Sequence, residues 1–379
     1  MTLKREIFQY QAPDEPPNKI QVLDDDGDVV DEDLLPDLTD EEFVELYYYM
    51  KLTRAVDQRG VSLQRQGRSG TMASGYGQEA NCATAYALAD EDWLIPCYRE
   101  FGSMLTRGLD PKYMFLYWMG KEPGHELPEE LNTLTIPTPI ATHLPHAAGL
   151  GMASQILDMD DRAFLAHFGD GATSEGDFHE ALNFAGSFDT PNVFVCDNNQ
   201  YAISVPIERQ TGSATIAQKA TAYGFDGVYV DGMDPLAVYT VTKEALRRAK
   251  SPDEGESRQS LIEMFLYRLG GHSTSDDPSK YRSEEELERW EQKDPIARLE
   301  TFLEETDRLD EQSKTDIEER VEAEVDTAVE EAEARHQDPK TMFENVYHEM
   351  TPELQRQYEE LSALREEYGD DAFSVEWGF

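Results

Sequence analysis

Apolar and polar residues alternate along the chain in blocks that read as strands ending in polar turns. The apolar run Ala163–Phe168 meets Gly169-Asp170-Gly171, and a helix-patterned segment follows from Asp177 to Phe188. A second apolar run, Asn192–Cys196, then meets Asp197-Asn198-Asn199. Strand, turn, helix, strand, turn is one βαβ unit, with both polar turns at the carboxyl ends of parallel strands. Trp93–Cys97, Gly227–Asp231 and Leu261–Arg268 add strands, and Pro235–Lys250 reads as a helix through Leu236, Val238, Val241 and Ala245. The pattern predicts an α/β protein, a parallel sheet flanked by helices. Ligands gather at the carboxyl edge of such sheets, so Asp170 and Asn199 are expected side by side although distant in sequence.

The remaining segments divide the chain in three. Residues 1–37 are polar, acidic and Pro-containing, an arm with little structure of its own that lies free or across a partner. Residues 38–298 hold the α/β domain. It opens at a capping box, Thr39 with Glu42 three residues on, flanked by Leu38 and Phe43 in positions for a hydrophobic staple. Residues 299–379 form a charged helical C-terminal region in which Ile317, Val321, Val325, Val329 and Ala332 make one apolar stripe. Its isolated aromatics, Phe343, Tyr347, Phe373 and Trp377, are expected to dock on the body or on a partner.

Charge changes the picture most. Of 379 residues 78 are acidic and 33 basic, a net charge of −45. The acids are gathered at Asp24–Asp33 and also dispersed along the whole chain, which fits a surface kept soluble in concentrated salt and predicts a halophilic prokaryote as source. Such a charge disfavours binding to nucleic acid or to anionic membrane, and no apolar run reaches the length of a membrane span. The start of the chain lacks a signal-peptide h-region, and Cys82, Cys97 and Cys196 have no metal or disulfide spacing. They read as buried thiols in a reducing cytoplasm.

The two polar turns suggest a metal-bound diphosphate. Mg²⁺ takes oxygen ligands in octahedral geometry and shares them between protein and phosphates. An Asp carboxylate, an Asn amide oxygen and a backbone carbonyl supply one hemisphere, and the glycines let the backbone come close. Gly-Asp-Gly alone is a common turn; paired with Asn-Asn after the next strand it is far more specific. Arg99, at the end of the Trp93–Cys97 run, suits either bidentate phosphate capture or a structural pair with Glu100, and the residues alone leave these even. His272 sits in the Gly/Ser-rich loop Gly270–Asp277 after the last strand, at the end that should carry ligands.

Gly-Asp-Gly followed about thirty residues later by Asn-Asn resembles the thiamine-diphosphate motif. The surrounding wording, with Gln64–Arg68, Gly75–Ala80 and YRLGGHSTSDD, resembles the alpha subunit of the decarboxylating component of 2-oxoacid dehydrogenase complexes, the branched-chain and pyruvate members above all. The resemblance implies a thiamine-diphosphate-binding fold with thiamine diphosphate and Mg²⁺ as cofactors. It places Asp170, Asn199 and the Tyr201 carbonyl on the metal, and Tyr98, Arg99, Thr138, Ile140, Gly171, Ala172 and His272 on the cofactor. It gives His272 a catalytic part in reductive acylation, with Arg268, Asp276 and Tyr281 supporting its loop. It further implies a beta subunit completing an α2β2 tetramer, a lipoyl-bearing acyltransferase as acceptor, and a small 2-oxoacid as substrate. The side chain of that 2-oxoacid stays open: Asp170 and Asp197 follow the pyruvate pattern, whereas the loops look branched-chain. Lys121–Leu134 departs from the family, and His125 is given no role. His143 stands where a potassium-binding Gln would be, and potassium is left unassigned. An acetoin-cleaving dehydrogenase uses the same frame. A stand-alone thiamine-dependent decarboxylase needs a second cofactor-binding half that the sequence does not show, and a non-catalytic scaffold leaves Asp, Asn, Arg and His at four strand ends unexplained.

Overall fold

The computed structural model describes residues 19–336 and 338–373. Five parallel strands form the central sheet: β1 (Trp93–Ile95), β2 (Phe164–Gly169), β3 (Asn192–Asn198), β6 (Asp226–Asp231) and β7 (Ser260–Phe265). They lie in the order β1-β2-β3-β7-β6, and a small hairpin of β4 (Tyr201–Ala202) and β5 (Val205–Pro206) follows β3. The α/β reading and the parallel sheet therefore stand. Strand bounds shift by two or more residues at three places. The ladder carries β3 two residues beyond Cys196, to Asn198 opposite Phe265, whereas β1 stops at Ile95 and β7 at Phe265. Where pairing ends, Cys97-Tyr98-Arg99 and Leu266-Tyr267-Arg268 leave the sheet and turn into the ligand edge.

The helices bury both faces of the sheet. Along β2, Phe164, Ala166 and Phe168 join one apolar cluster and Ala163 and Leu165 the other, as the two-residue period of a strand requires. The first cluster is covered by α5 (His143–Ile156) and α6 (Gly176–Phe188), through Leu144, Ala147, Phe178, Ala181 and Leu182. The second is covered by α1 (Asp40–Arg65), the short helices α2 (Cys82–Tyr86), α3 (Phe101–Thr106) and α4 (Pro111–Trp118), and α7 (Pro235–Lys250). The capping box is formed: Glu42 N–H donates to Thr39 Oγ1 at 3.2 Å, and Thr39 N–H to the Glu42 carboxylate at 2.7 Å. All three cysteines are buried and free.

At the chain ends the structure adds what periodicity did not supply. Residues 19–37 lie on the body itself. Ile20 bridges Val230 at the sheet edge, Val22 and Leu23 are buried, and their N–H groups both donate to Asp234 at 2.7 Å. The first 18 residues of the acidic arm, and Trp377, fall outside the described residues. Five α-helices follow α7 among the described residues: α8 (Glu284–Glu291), α9 (Pro295–Glu305), α10 (Glu311–Ala334) and the pair α11 (Thr341–Glu344) and α12 (Pro352–Tyr368). The division drawn at residue 298 falls inside α9, whose Leu299, Phe302 and Leu303 share the apolar cluster of Phe43 and Leu46. On α10, Val321, Val325, Val329 and Ala332 are buried as the stripe predicts, and Ile317 is partly buried. Phe343 packs on Tyr358, while Tyr347 and Phe373 remain exposed.

Candidate active site

The register of β2 on β3 pairs Gly169 with Asp197, which brings the two polar turns together at the carboxyl edge of the sheet. Around them opens a cleft of about 250 Å³ whose lining includes Tyr98, Arg99, Ile140, Asp170, Gly171, Ala172, Asn199, Tyr201 and His272. Nine of the ten residues expected at the site thus share one cavity. Thr138 does not line it: the residue is exposed and its hydroxyl lies 3.3 Å from the Tyr117 hydroxyl. Ile140 stands at the mouth, 41% exposed.

Between Gly169 and the helix the chain makes a 3-10 turn, Asp170–Ser174, and α6 begins only at Gly176. The two glycines of the turn differ in use. A Cβ on Gly171 would come within 2.9 Å of the Ala202 Cβ, so close packing on the hairpin requires glycine there. A Cβ on Gly169 would meet nothing within 4 Å, which leaves open space beside Asp170.

Asp170 and Asn199 are both buried and both held from behind. Gln210 Nε2 donates to Asp170 Oδ2 at 2.6 Å, and Asn199 Nδ2 donates to Gln78 Oε1 at 2.8 Å. The second bond commits the amide nitrogen and leaves Asn199 Oδ1 as an acceptor towards the turn. Burial pushes the Asp170 carboxyl above its usual range, while Gln210, its own backbone N–H, Arg268 and Arg99 draw it back. Among the described residues no three His, Cys, Asp or Glu side chains converge as a metal cage. One carboxylate, one amide oxygen and one carbonyl fit a hard cation that takes its other oxygens from phosphates, and fit poorly a metal bound by protein alone.

The cationic side comes from two arginines and a neutral histidine. Arg99 donates to the Ser74 carbonyl and, through Nη2, to His272 Nδ1 at 3.1 Å; no ion pair joins it to Glu100 among the described residues. The structural-pair reading of Arg99 is thereby removed. Arg268 donates to the carbonyls of Tyr201 at 3.3 Å and Ile203 at 2.8 Å, and to the Tyr281 hydroxyl at 3.0 Å. Tyr281 in turn donates to Asp276, whose Oδ2 accepts the His272 N–H at 2.7 Å. Burial, then Arg99 and Arg268, push the His272 imidazole down to about 4, against the pull of Asp276. A guanidinium only donates, so Nδ1 is the acceptor and the ring proton sits on Nε2. The cleft thus offers an acidic and amide pair on one strand edge and a ring of donors opposite, an arrangement suited to a metal–phosphate group.

Comparison with known proteins gives the family. A family model described as the dehydrogenase E1 component matches residues 47–340. The chain belongs to this family. It is similar to the pyruvate dehydrogenase E1 component subunit alpha of Staphylococcus aureus, 43% identical over 343 residues that span 90% of this chain and 91% of the relative. The subunit alpha of Staphylococcus epidermidis is 41% identical over the same shares of both chains.

Several residues of this E1 chain that shape the cleft carry no sequence signal of their own. Gln78 lies in the Gly-rich string before α2, and Gln210 follows the β4–β5 hairpin; each is fixed to its partner only by the fold. Asp57 accepts from Gly75 N–H at 2.7 Å and Ser74 Oγ at 2.9 Å, which sets the carbonyl that Arg99 grips. Arg54 binds Glu79 at 2.8 Å and Asp294 at 2.6 Å, and Glu79 accepts the Gly77 N–H, locking the same loop from α1. Behind the cleft, His167 Nδ1 lies 2.7 Å from Asp197 Oδ2, both wholly buried. Glu100 lines the cleft nearby.

Proposed function

We propose that this chain is the alpha subunit of a thiamine-diphosphate-dependent 2-oxoacid dehydrogenase, acting in oxidative decarboxylation with pyruvate as the leading substrate. The observation that carries the reading is the convergence of Asp170, Asn199, Arg99, Arg268 and His272 on one cleft at the carboxyl edge of the sheet. When bound, thiamine diphosphate supplies the carbanion-stabilising chemistry. The chain's own residues do the holding. Asp170, Asn199 and the Tyr201 carbonyl would hold Mg²⁺, the last after Arg268 yields it. Arg99 and His272 Nε2–H would face the phosphates, Tyr98, Gly171 and Ala172 would line them, and Thr138 and Ile140 would meet the rest of the cofactor from the rim. His272 would also assist transfer to a lipoyl group.

A beta subunit, in an α2β2 assembly, would supply the other half of the site, and a lipoyl-bearing acyltransferase would receive the acyl group. The names of the Staphylococcus relatives and Asp170 in the metal turn favour pyruvate over branched 2-oxoacids. Three buried, unpaired thiols accord with the proposed cytoplasmic setting. The test is reconstitution in potassium chloride of this chain, its beta partner, thiamine diphosphate, Mg²⁺ and a dye acceptor. Pyruvate, branched 2-oxoacids, 2-oxobutyrate and acetoin would be compared. Turnover that needs both chains and ranks pyruvate first supports the reading. Preference for acetoin would reassign the substrate, and turnover by this chain alone would overturn the two-subunit scheme.

A further inference from the structure

Glu100 follows Arg99 and lines the cleft, yet the cofactor reading gives it no task. It is 2% exposed, and its Oε2 is cut off from water without a hydrogen-bond partner. The groups facing it come from three elements: Arg99 and Cys97 from its own segment, His167 from β2 and Asp197 from β3.

Hydrogen-bond accounting fixes the net charge that two of these neighbours carry together. Thr84 and Ser103 both donate their hydroxyl hydrogens to the Asn81 carbonyl, at 2.7 and 3.0 Å. Their oxygens are then free only to accept, and His167 Nε2 lies 2.8 Å from one and 3.3 Å from the other. Nε2 therefore carries a hydrogen, and a further proton is held between Nδ1 and Asp197 Oδ2. As imidazolium with carboxylate or imidazole with acid, the pair is neutral overall. Arg99 is engaged with Ser74 and His272. Glu100 is left as a buried carboxyl helped by its own backbone N–H but with Oε2 unpartnered, an arrangement that makes the charged form costly.

We propose that Glu100 takes up one proton from solvent when an anionic diphosphate enters the cleft, so that cofactor binding by this enzyme is linked to proton uptake at a carboxyl in the cleft wall. The inference rests on the thiamine-diphosphate reading. Its physical cause is Coulombic: phosphate oxygens add negative charge to the cleft and draw on Arg99, whose charge opposes protonation of Glu100. Burial, with Asp197 beside it, already pushes the carboxyl up to about 7 in the free protein, His167 and Arg99 opposing. Near neutrality the group is thus poised to change state.

The experiment is isothermal titration of the reconstituted alpha–beta assembly with thiamine diphosphate and Mg²⁺, in buffers of different ionisation enthalpy, at pH values on either side of neutrality. Glu100→Gln is titrated in parallel, because the phosphates and His272 contribute their own proton changes equally to both. Above neutral pH the wild type should take up as much as one proton more per site than the variant. Its affinity should fall with pH by up to about tenfold per unit relative to the variant. Equal uptake in both overturns the assignment of Glu100 alone. Absence of any cofactor binding overturns the thiamine reading and this inference with it. Should Glu100→Gln fail to assemble, infrared difference spectra of wild-type protein labelled at glutamate decide. Cofactor addition must raise a protonated-carboxyl band, and its absence sinks the proposal.

Discussion

Asn199 ends a chain of dependence that runs backwards from the cleft. Its amide nitrogen is spent on Gln78, so its oxygen is the atom that would meet the proposed metal. Asn199→Ala should lower Mg²⁺-dependent retention of the cofactor by about 100-fold or more, given that even outer-shell partners cost about 10–100-fold. Gln78→Ala should fall within that outer-shell range; equilibrium dialysis with Mg²⁺ distinguishes them, and equal small losses would contradict a ligand role for Asn199. His272 gives a second prediction, with a definite sign. Its folded value of about 4 lies below the about 6.5 of an unfolded imidazole. Between those values the unfolded chain binds more protons at this residue, so stability falls as pH drops through the window. His272→Gln removes that term. Denaturant midpoints measured through the window at constant salt should decline less steeply in the variant, and parallel slopes would exclude a neutral, cation-flanked imidazole.

Among the elements, α7 shows how one side chain joins distant segments. Asp234 caps the helix by accepting from Leu236 and Ala237 N–H at 3.0 and 3.1 Å, while its other oxygen anchors Val22 and Leu23. Losing a cap costs about 1 kcal/mol, and each buried N–H left without a partner about 1–3 kcal/mol. Asp234→Ala should therefore lose more than an ordinary cap deletion, and the segment from Lys19 to Leu23 should lose hydrogen-exchange protection. A loss of only about 1 kcal/mol with protection intact would show that the anchor contributes nothing. Helix α9 makes the same point for the C-terminal region. Leu299 and Phe302 lie in the main apolar cluster, and Arg298 reaches Asp231 at 3.1 Å, so α9 is built into the α/β body.

For the whole molecule, the −45 charge is the dominant long-range term. Many of the ion pairs are exposed, such as Arg356 with Glu353, and contribute little individually. The repulsion they leave uncompensated is screened by salt, with a Debye length of about 3 Å at about 1 M. The melting temperature should therefore rise steadily as potassium chloride is raised into the molar range. A flat or falling curve would contradict the salt-adapted reading. No helix among the described residues is long and apolar enough to cross a membrane.

Local pattern determined the elements. The period-2 runs, the Thr39 capping box and the stripe on α10 are decided by residues adjacent in sequence, and β2, α6, β3 and α7 lie within two residues of where periodicity puts them. The pairing of Asp170 with Asn199 was legible too, because a βαβ unit brings successive strand ends together. The tertiary structure alone decided the contacts between distant segments: Gln78 behind Asn199, Gln210 on Asp170, Asp234 under Val22, and His167 against Asp197 beside Glu100. It also removed the Arg99–Glu100 pair and left Thr138 outside the cleft. Sequence periodicity reports which face of an element is apolar. Which polar side chain meets which depends on strand register and on where loops leave the sheet, and no local pattern encodes those.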